Sequence, residues 1–125
     1  MSNVPPQAAL LRIAWRSLQA QRGETITYHV GSYSIAVEGC VLTRPTAAKV
    51  DTGSDAAVES RAWDWLIDAA LLVAANGEQI EPSRGHWIER GDGTKYSVQP
   101  SDGQDLAWRW SDGSHTWRRT HTEEN

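Results

Sequence analysis

The spacing of the apolar residues changes at Gly23, and this change constrains the fold more than any other feature. Before it, the stretch 5–22 carries apolar residues three and four positions apart, among them Leu11, Trp15 and Leu18. Such spacing is typical of one face of an amphipathic helix. Two prolines stand where a first helical turn tolerates them, and glycine is a common helix stop. The sequence therefore predicts one N-terminal helix, 5–22, which packs on a sheet.

After Gly23 the apolar residues alternate with polar ones, which is the period of a half-buried strand. Turn-forming residues interrupt this alternation, and three hairpins are predicted, with turns at 31–32, 91–93 and 111–114. The stretch 68–76 fits either a buried strand or a short helix or turn, and its alanine content favours the helix or turn. One helix followed by short strands predicts a mainly β fold, a small antiparallel β-sandwich or barrel over 24–122.

The length of 125 residues is typical of one domain, so we expect a single domain over 1–125. No apolar run approaches the roughly 20 residues that cross a bilayer, and the first residues lack the order of a signal peptide. We therefore expect a soluble chain without a membrane partner. The longest stretch without a period, 44–57, is rich in small and turn-forming residues and is predicted to be a flexible loop or a strand pair with a long flexible tip.

The charge and the reactive residue types argue against several classes of function. A formal net charge of -4 disfavours a protein that holds nucleic acid over its whole surface, although three arginines near the end of the chain leave room for a local basic patch. The single cysteine, Cys40, cannot form an internal disulfide. Neither a nucleophile elbow nor a catalytic cysteine frame is present, so we do not expect an enzyme. His115 and His121 share a strand face but lie too far apart to bind one ion, so no metal or cofactor is expected.

Seven tryptophans stand beside three tyrosines and no phenylalanine. In LAWRW, Trp108 and Trp110 share one face of a strand, and in AWDWL, Trp63 and Trp65 do the same. A chain of this size does not normally bury so many indoles, so we expect some of them to be only partly covered. Three interpretations remain open for each ring: core filling, a protein interface, or stacking of a sugar or base.

The order of five motifs, ESRAWDWLI, PSRGHWI, YSV, WRWSD and RTHT, resembles the small head-tail connector proteins of tailed bacteriophages, the lambda-type head-completion or stopper proteins. The resemblance covers about 58–122. His86 stands where that family tends to carry Asp, and Thr120 stands where a branched aliphatic residue is common. The positions carried over, as structural or contact positions, are Arg84, Gly85, Trp108, Trp110, Ser111, Asp112, Arg119, His121 and Thr122.

The resemblance implies a β-barrel or sandwich with a peripheral helix, located in the neck of the virion after synthesis in the host cytoplasm. It implies a homo-oligomeric ring, a hexamer or dodecamer, that closes the DNA-filled head and provides the tail attachment surface. The implied partners are portal or adaptor proteins above, a tail terminator or tail tube below, and packaged DNA in transient contact. Alternatives are a tail-terminator or adaptor virion protein, or a β module that binds carbohydrate or nucleic acid through tryptophan.

Two sets of residues are candidates for these contacts. The candidate interface consists of Trp63, Trp65, Arg84, Trp108, Arg109, Trp110, Asp112, Trp117, Arg119 and His121. The candidate channel loop contributes Arg44, Lys49, Asp51 and Asp55.

Overall fold

The computed structural model describes residues 7–44, 61–101, 104–111 and 113–125, and within the helix the side chains of Ile13 and of 16–22. The elements in chain order are α1 (Gln7–Arg22), β1 (Glu24–Val30), β2 (Tyr33–Thr43), β3 (Ala62–Asp68), β4 (Trp87–Glu89), β5 (Lys95–Val98), β6 (Trp108–Trp110) and β7 (Trp117–Glu124). The helix gives way to the first strand at Gly23, where the sequence predicts the change.

Six of the strands close into an antiparallel barrel in the order β1, β2, β3, β7, β5, β4 and back to β1. The β3–β7 ladder is long, with Ala62 opposite Glu123 at one end and Asp68 opposite Trp117 at the other. The seventh strand, β6, pairs with the first half of β7. The prediction of a mainly β fold with one N-terminal helix is confirmed, and of the two architectures the barrel is the one observed.

The three predicted hairpins form. Strands β1 and β2 meet at the turn 31–32, and β4 and β5 meet across 91–93. In the third hairpin Trp110 pairs with Arg118, so the connection is longer than the predicted turn 111–114. The Ala-rich stretch forms turns at 69–71 and a return of the chain at the bridge between Val73 and Gln79.

The barrel interior is filled by alternate residues of the strands. Trp65 and Tyr96 meet edge to face there, with 5.4 Å between ring centroids. The buried members of this cluster are Ile26, Tyr28, Val37, Cys40, Trp65, Ile67, Leu72, Ile80, Ile88, Tyr96, Val98 and Ala107. A second cluster lies on the outer face of the sheet, where Leu18 of α1 packs on Val41, Leu66 and Trp117. The helix therefore packs on the sheet, as predicted.

Close approach of the helix to β2 depends on glycine. The Gln19 side chain donates from Nε2 to the Gly39 carbonyl at 2.9 Å. Gly39 has a φ of 70°, and a Cβ at this position would lie 2.5 Å from the same nitrogen. A larger residue would therefore be strained and would also displace the side chain that ties α1 to the barrel.

The predicted loop 44–57 lies outside the described residues except for Arg44. In the part of the chain that is described, no helix is long and apolar enough to cross a membrane.

Candidate interaction surface

The β6–β7 hairpin brings two predicted interface residues, Trp108 and Trp110, against Arg118. Trp108 pairs with Thr120 and Trp110 with Arg118, and paired residues on neighbouring strands project from the same face. The Arg118 guanidinium carbon lies 4.4 Å from the Trp108 ring centroid and 5.3 Å from that of Trp110. The two indoles meet edge to face at 4.9 Å. The hairpin thus holds a cation against two aromatic faces.

Arg118 is buried and is held by neutral oxygens rather than by a carboxylate contact. Its Nη1 donates to the Ile80 carbonyl, and its Nη2 donates to Oε1 of Gln79 at 3.5 Å. Its Nε has no hydrogen-bond partner among the described residues. Burial lowers the pKa of Arg118, opposed by the nearby charge of Glu81. The buried Arg118 side chain therefore holds the Trp108 and Trp110 rings in position.

Two further side chains complete the group. Trp108 donates from Nε1 to Oε1 of Glu81 at 3.1 Å. His115, in the left-handed region with a φ of 57°, stacks on Trp110 with 4.9 Å between centroids and an angle of 11°. We call Glu81, Trp108, Trp110, His115 and Arg118 the hairpin cluster. Its indoles are half-buried and Leu106 beside them is exposed, so part of the aromatic surface of the cluster remains accessible.

A second polar group lies on the outer face of β3 and β7. Asp64 is only 1% exposed, and its two carboxylate oxygens accept from Arg119 Nη1 at 3.1 Å and His121 Nδ1 at 2.9 Å. We call these three residues the Asp64 network. Arg119 and His121 are predicted interface residues, and the structure uses both to tie β7 to β3.

At the end of the barrel where β3 begins, Trp63 is held by two charged side chains. Its Nε1 donates to Oε1 of Glu124 at 3.0 Å, and the Arg44 guanidinium lies 3.7 Å from its ring centroid. The predicted channel residue Arg44 therefore packs on the predicted interface residue Trp63. The other channel residues, Lys49, Asp51 and Asp55, lie outside the described residues, as does Asp112.

Trp65 and Trp117 are buried within the chain, at 0% and 3% exposure. Trp65 faces the barrel interior, and Trp117 is covered on the outer face by Leu18 and Leu66. The two rings are thus core residues in this chain, and core filling is one of the three interpretations that the sequence leaves open for each ring. Trp65 is buried because it faces the barrel interior, whereas Trp117 is buried because α1 covers the outer face of the sheet, which strand alternation alone does not indicate. Arg109 remains exposed on β6.

His86 occupies the position where the resemblance leads one to expect Asp, and it accepts hydrogen bonds there. The Tyr28 hydroxyl donates to its Nδ1 at 2.8 Å, and the Ser83 amide donates to the same atom at 3.3 Å. Burial lowers the pKa of His86 and raises that of Tyr28. The neutral imidazole therefore closes the turn that carries Arg84 and Gly85, a task that a carboxylate oxygen could also perform.

Sequence reasoning missed Arg118, Glu81 and His115 as members of a site. Only Arg118 left a usable signal, because the alternation of β7 and the pairing of a hairpin place it opposite Trp110. Glu81 and His115 lie in irregular segments, where the spacing of apolar residues does not predict which way a side chain faces. Among the described residues, no three His, Cys, Asp or Glu side chains are grouped so that they could hold a metal ion.

The fold and these contacts define a small closed antiparallel barrel whose surface carries an aromatic and cationic hairpin. The sequence matches the phage head-tail joining protein family over residues 7–125, and the chain belongs to that family. No curated protein and no solved structure matches it. Membership makes it a structural protein of the phage neck, one that interacts with head and tail components.

Proposed function

We propose that this protein is the head-completion, or stopper, protein of a tailed phage. In this proposal copies of the chain form a ring, a hexamer or dodecamer, below the portal or adaptor. The ring closes the DNA-filled head and presents the surface to which the tail terminator or tail tube attaches. Packaged DNA passes through it, so its contact with DNA is transient.

The observation that carries the proposal is the hairpin cluster. Tryptophan and arginine are the residue types most enriched at the energetic centres of protein interfaces. Here Arg118 already holds the two indoles in fixed positions, so little side-chain freedom is lost when a partner covers them. In a ring, each subunit contributes two different faces to its neighbours, and such a cluster is suited to one of them.

The net charge of the protein supports transient contact with DNA that passes through the ring rather than tight DNA binding. A chain with a net charge of -4 gains little from phosphate neutralisation, and DNA can slide past a surface that does not hold it. The same charge disfavours the nucleic-acid-binding module among the alternatives.

The direct test is a phage that lacks this protein, complemented with variants. Without it we expect DNA-filled heads that leak or fail to accept tails, as seen by electron microscopy. The double variant Trp108→Ala with Trp110→Ala should fail to restore tailed particles, because it removes the surface offered to the neighbour. Tyr33→Ala, which removes an exposed ring at the first hairpin, is the matched control and should complement.

Three results would contradict the proposal. Tailed, infectious particles formed without the protein would exclude a stopper. Full complementation by the double variant would remove the hairpin cluster as the contact. Quenching of tryptophan fluorescence by sugars or oligonucleotides, with no association of the protein with particles, would favour the binding module instead.

A further inference from the structure

A second surface of the barrel, away from the hairpin cluster, combines an aromatic wall with positive charge. It is a groove of about 470 Å³ on the β4–β5 side, lined by Arg84, Gly85, His86, Trp87, Lys95, Ser97, Val98, Gln99 and Asn125. Two lining side chains are cationic, three others are polar donors, and none is a carboxylate. Two carboxylates adjoin this lining: Glu89, which lies opposite Lys95 in the strand pairing, and Glu123, which accepts a hydrogen bond from Gln99.

The aromatic wall of the groove is fixed before any ligand arrives. Trp87 stacks on His29 with 3.5 Å between ring centroids and an angle of 1°. His29 in turn donates from Nε2 to Oε1 of Glu89 at 3.1 Å. The Lys95 ammonium lies 5.4 Å from the Trp87 ring centroid. The indole therefore has one face covered by His29 and a cation within reach.

The polar rim is also positioned by contacts within the chain. Ser97 donates to Oδ1 of Asn125 at 2.9 Å, and Gln99 donates to Oε2 of Glu123 at 3.1 Å. Gly85 has a φ of 100°, a conformation that other residues rarely adopt, and this turn carries Arg84 to the rim. Arg84 and Lys95 are both exposed, so both charges are available to a ligand.

We propose that this groove binds an acidic segment of a neighbouring protein of the neck, with two carboxylates paired to Arg84 and Lys95 and an apolar side chain against Trp87. The inference rests on the proposed function for the identity of the partner. Charge complementarity carries the choice of an acidic segment, because the two lining cations are exposed, whereas the carboxylates beside the groove already accept hydrogen bonds, Glu89 from His29 and Glu123 from Gln99. A phosphodiester chain would meet the same cations, but the family to which the chain belongs joins head and tail components, and this favours a protein segment as the occupant.

The test uses the purified full-length chain and capped peptides. The probe is a hexapeptide with three glutamates and one leucine, and its control carries glutamine in place of each glutamate. Chemical shifts of the Trp87 indole and of the Gln99 and Asn125 side-chain amides report binding. We expect the acidic peptide to shift these three signals, the control peptide to leave them in place, and higher salt to weaken binding.

Variants separate the groove from the overall charge. Arg84→Gln with Lys95→Gln should weaken binding of the acidic peptide roughly fivefold, the scale of two exposed ion pairs. Arg16→Gln with Arg61→Gln removes the same charge from two exposed sites outside the groove and should leave the affinity within about twofold. An equal loss in both variants would overturn the groove, and so would shifts confined to other signals.

An oligothymidylate of equal charge is the third probe. Tighter binding of the oligonucleotide than of the acidic peptide, lost in the Arg84 and Lys95 variant, would overturn the protein segment and assign the groove to a phosphodiester. These results do not depend on particle assembly. Tailed particles formed in the absence of the protein would overturn the proposed function but leave the peptide-binding result unchanged. If the protein is required for tailed particles but the acidic peptide does not bind the groove, only the groove proposal is overturned.

Discussion

Four of the seven tryptophans form two pairs that differ in what surrounds them. Trp65 and Trp117 are enclosed by the chain's own apolar residues on the two faces of the β3–β7 ladder. Trp108 and Trp110 lie at the edge of the sheet, half-buried, and touch Arg118, His115 and each other. The first group holds the barrel together, whereas the second has ring surface left over. The same residue type is therefore enclosed in one place and leaves ring surface accessible in the other, because β6 pairs with one strand whereas β3 and β7 lie between neighbouring strands.

The variant Trp65→Ala is the strongest test of whether the enclosed tryptophans stabilise the barrel. Removing a fully buried indole leaves a large cavity in the barrel, and we expect a loss of about 4 kcal/mol in the free energy of unfolding. Urea denaturation followed by circular dichroism measures it. A loss under about 1.5 kcal/mol would show that the interior collapses around the missing ring, and the division into two groups would lose its energetic meaning.

Asp64→Asn is expected to have the next largest effect. It removes the carboxylate that faces Arg119 and His121 and leaves a largely buried guanidinium without its counter-charge. We expect a loss of about 3 kcal/mol, measured by the same denaturation. Asp105→Asn, at an exposed site, is the matched control and should change stability by less than about 0.5 kcal/mol. Equal effects of the two would mean that the Asp64 network contributes nothing to the ladder.

Trp110→Ala sharpens the comparison from the other side. The ring is half-buried, and its loss removes a stack with His115 and one of two aromatic contacts of Arg118. We expect a loss of only about 1 kcal/mol in unfolding free energy. A cost as large as that of Trp65→Ala would make Trp110 a core residue and would weaken the case for a contact surface.

The smallest expected effect is a dependence on pH at the turn before β4. The pKa of His86 in the folded protein lies below its ordinary value of 6.5, so the unfolded chain takes up the proton first as the pH falls. The stability due to neutral His86 is complete above that ordinary value and decreases below it. In His86→Asn, whose Oδ1 can accept from Tyr28 and Ser83, the loss of stability between about pH 7.5 and about pH 5 should be smaller. Identical pH profiles of the two proteins would exclude this role.

The sequence predicts local structure well here because local structure has local causes. The end of α1 at Gly23 follows from a change in the period of the apolar residues. The turns at 31–32 and 91–93 follow from Gly31 and Gly93, which adopt a positive φ. The closure of the barrel has no such cause. It joins Asp64 to His121, which are 57 residues apart, and no pattern within either strand states that they are neighbours.

The same limit explains the interface candidates. Alternation correctly places Trp63 and Trp65 on one face of β3. It does not indicate that the barrel interior encloses Trp65, or that α1 covers the opposite, outer face of β3 and β7. Arg118 shows the converse. A charged residue on a strand is normally expected to point to water, but the hairpin turns it inward, where the Ile80 carbonyl and two indoles take the place of solvent.

Strand β7 has a consequence for biosynthesis. It pairs with β3, β5 and β6. Until residues 117–124 have left the ribosome, β3 and β5 therefore each have one unpaired edge, and β6 lacks the strand with which it pairs. A nascent chain halted before that point exposes backbone edges prone to pairing with other chains. We therefore expect the barrel to close only once β7 is available, so truncation or proteolytic cleavage ahead of Trp117 should yield aggregates instead of a smaller folded fragment.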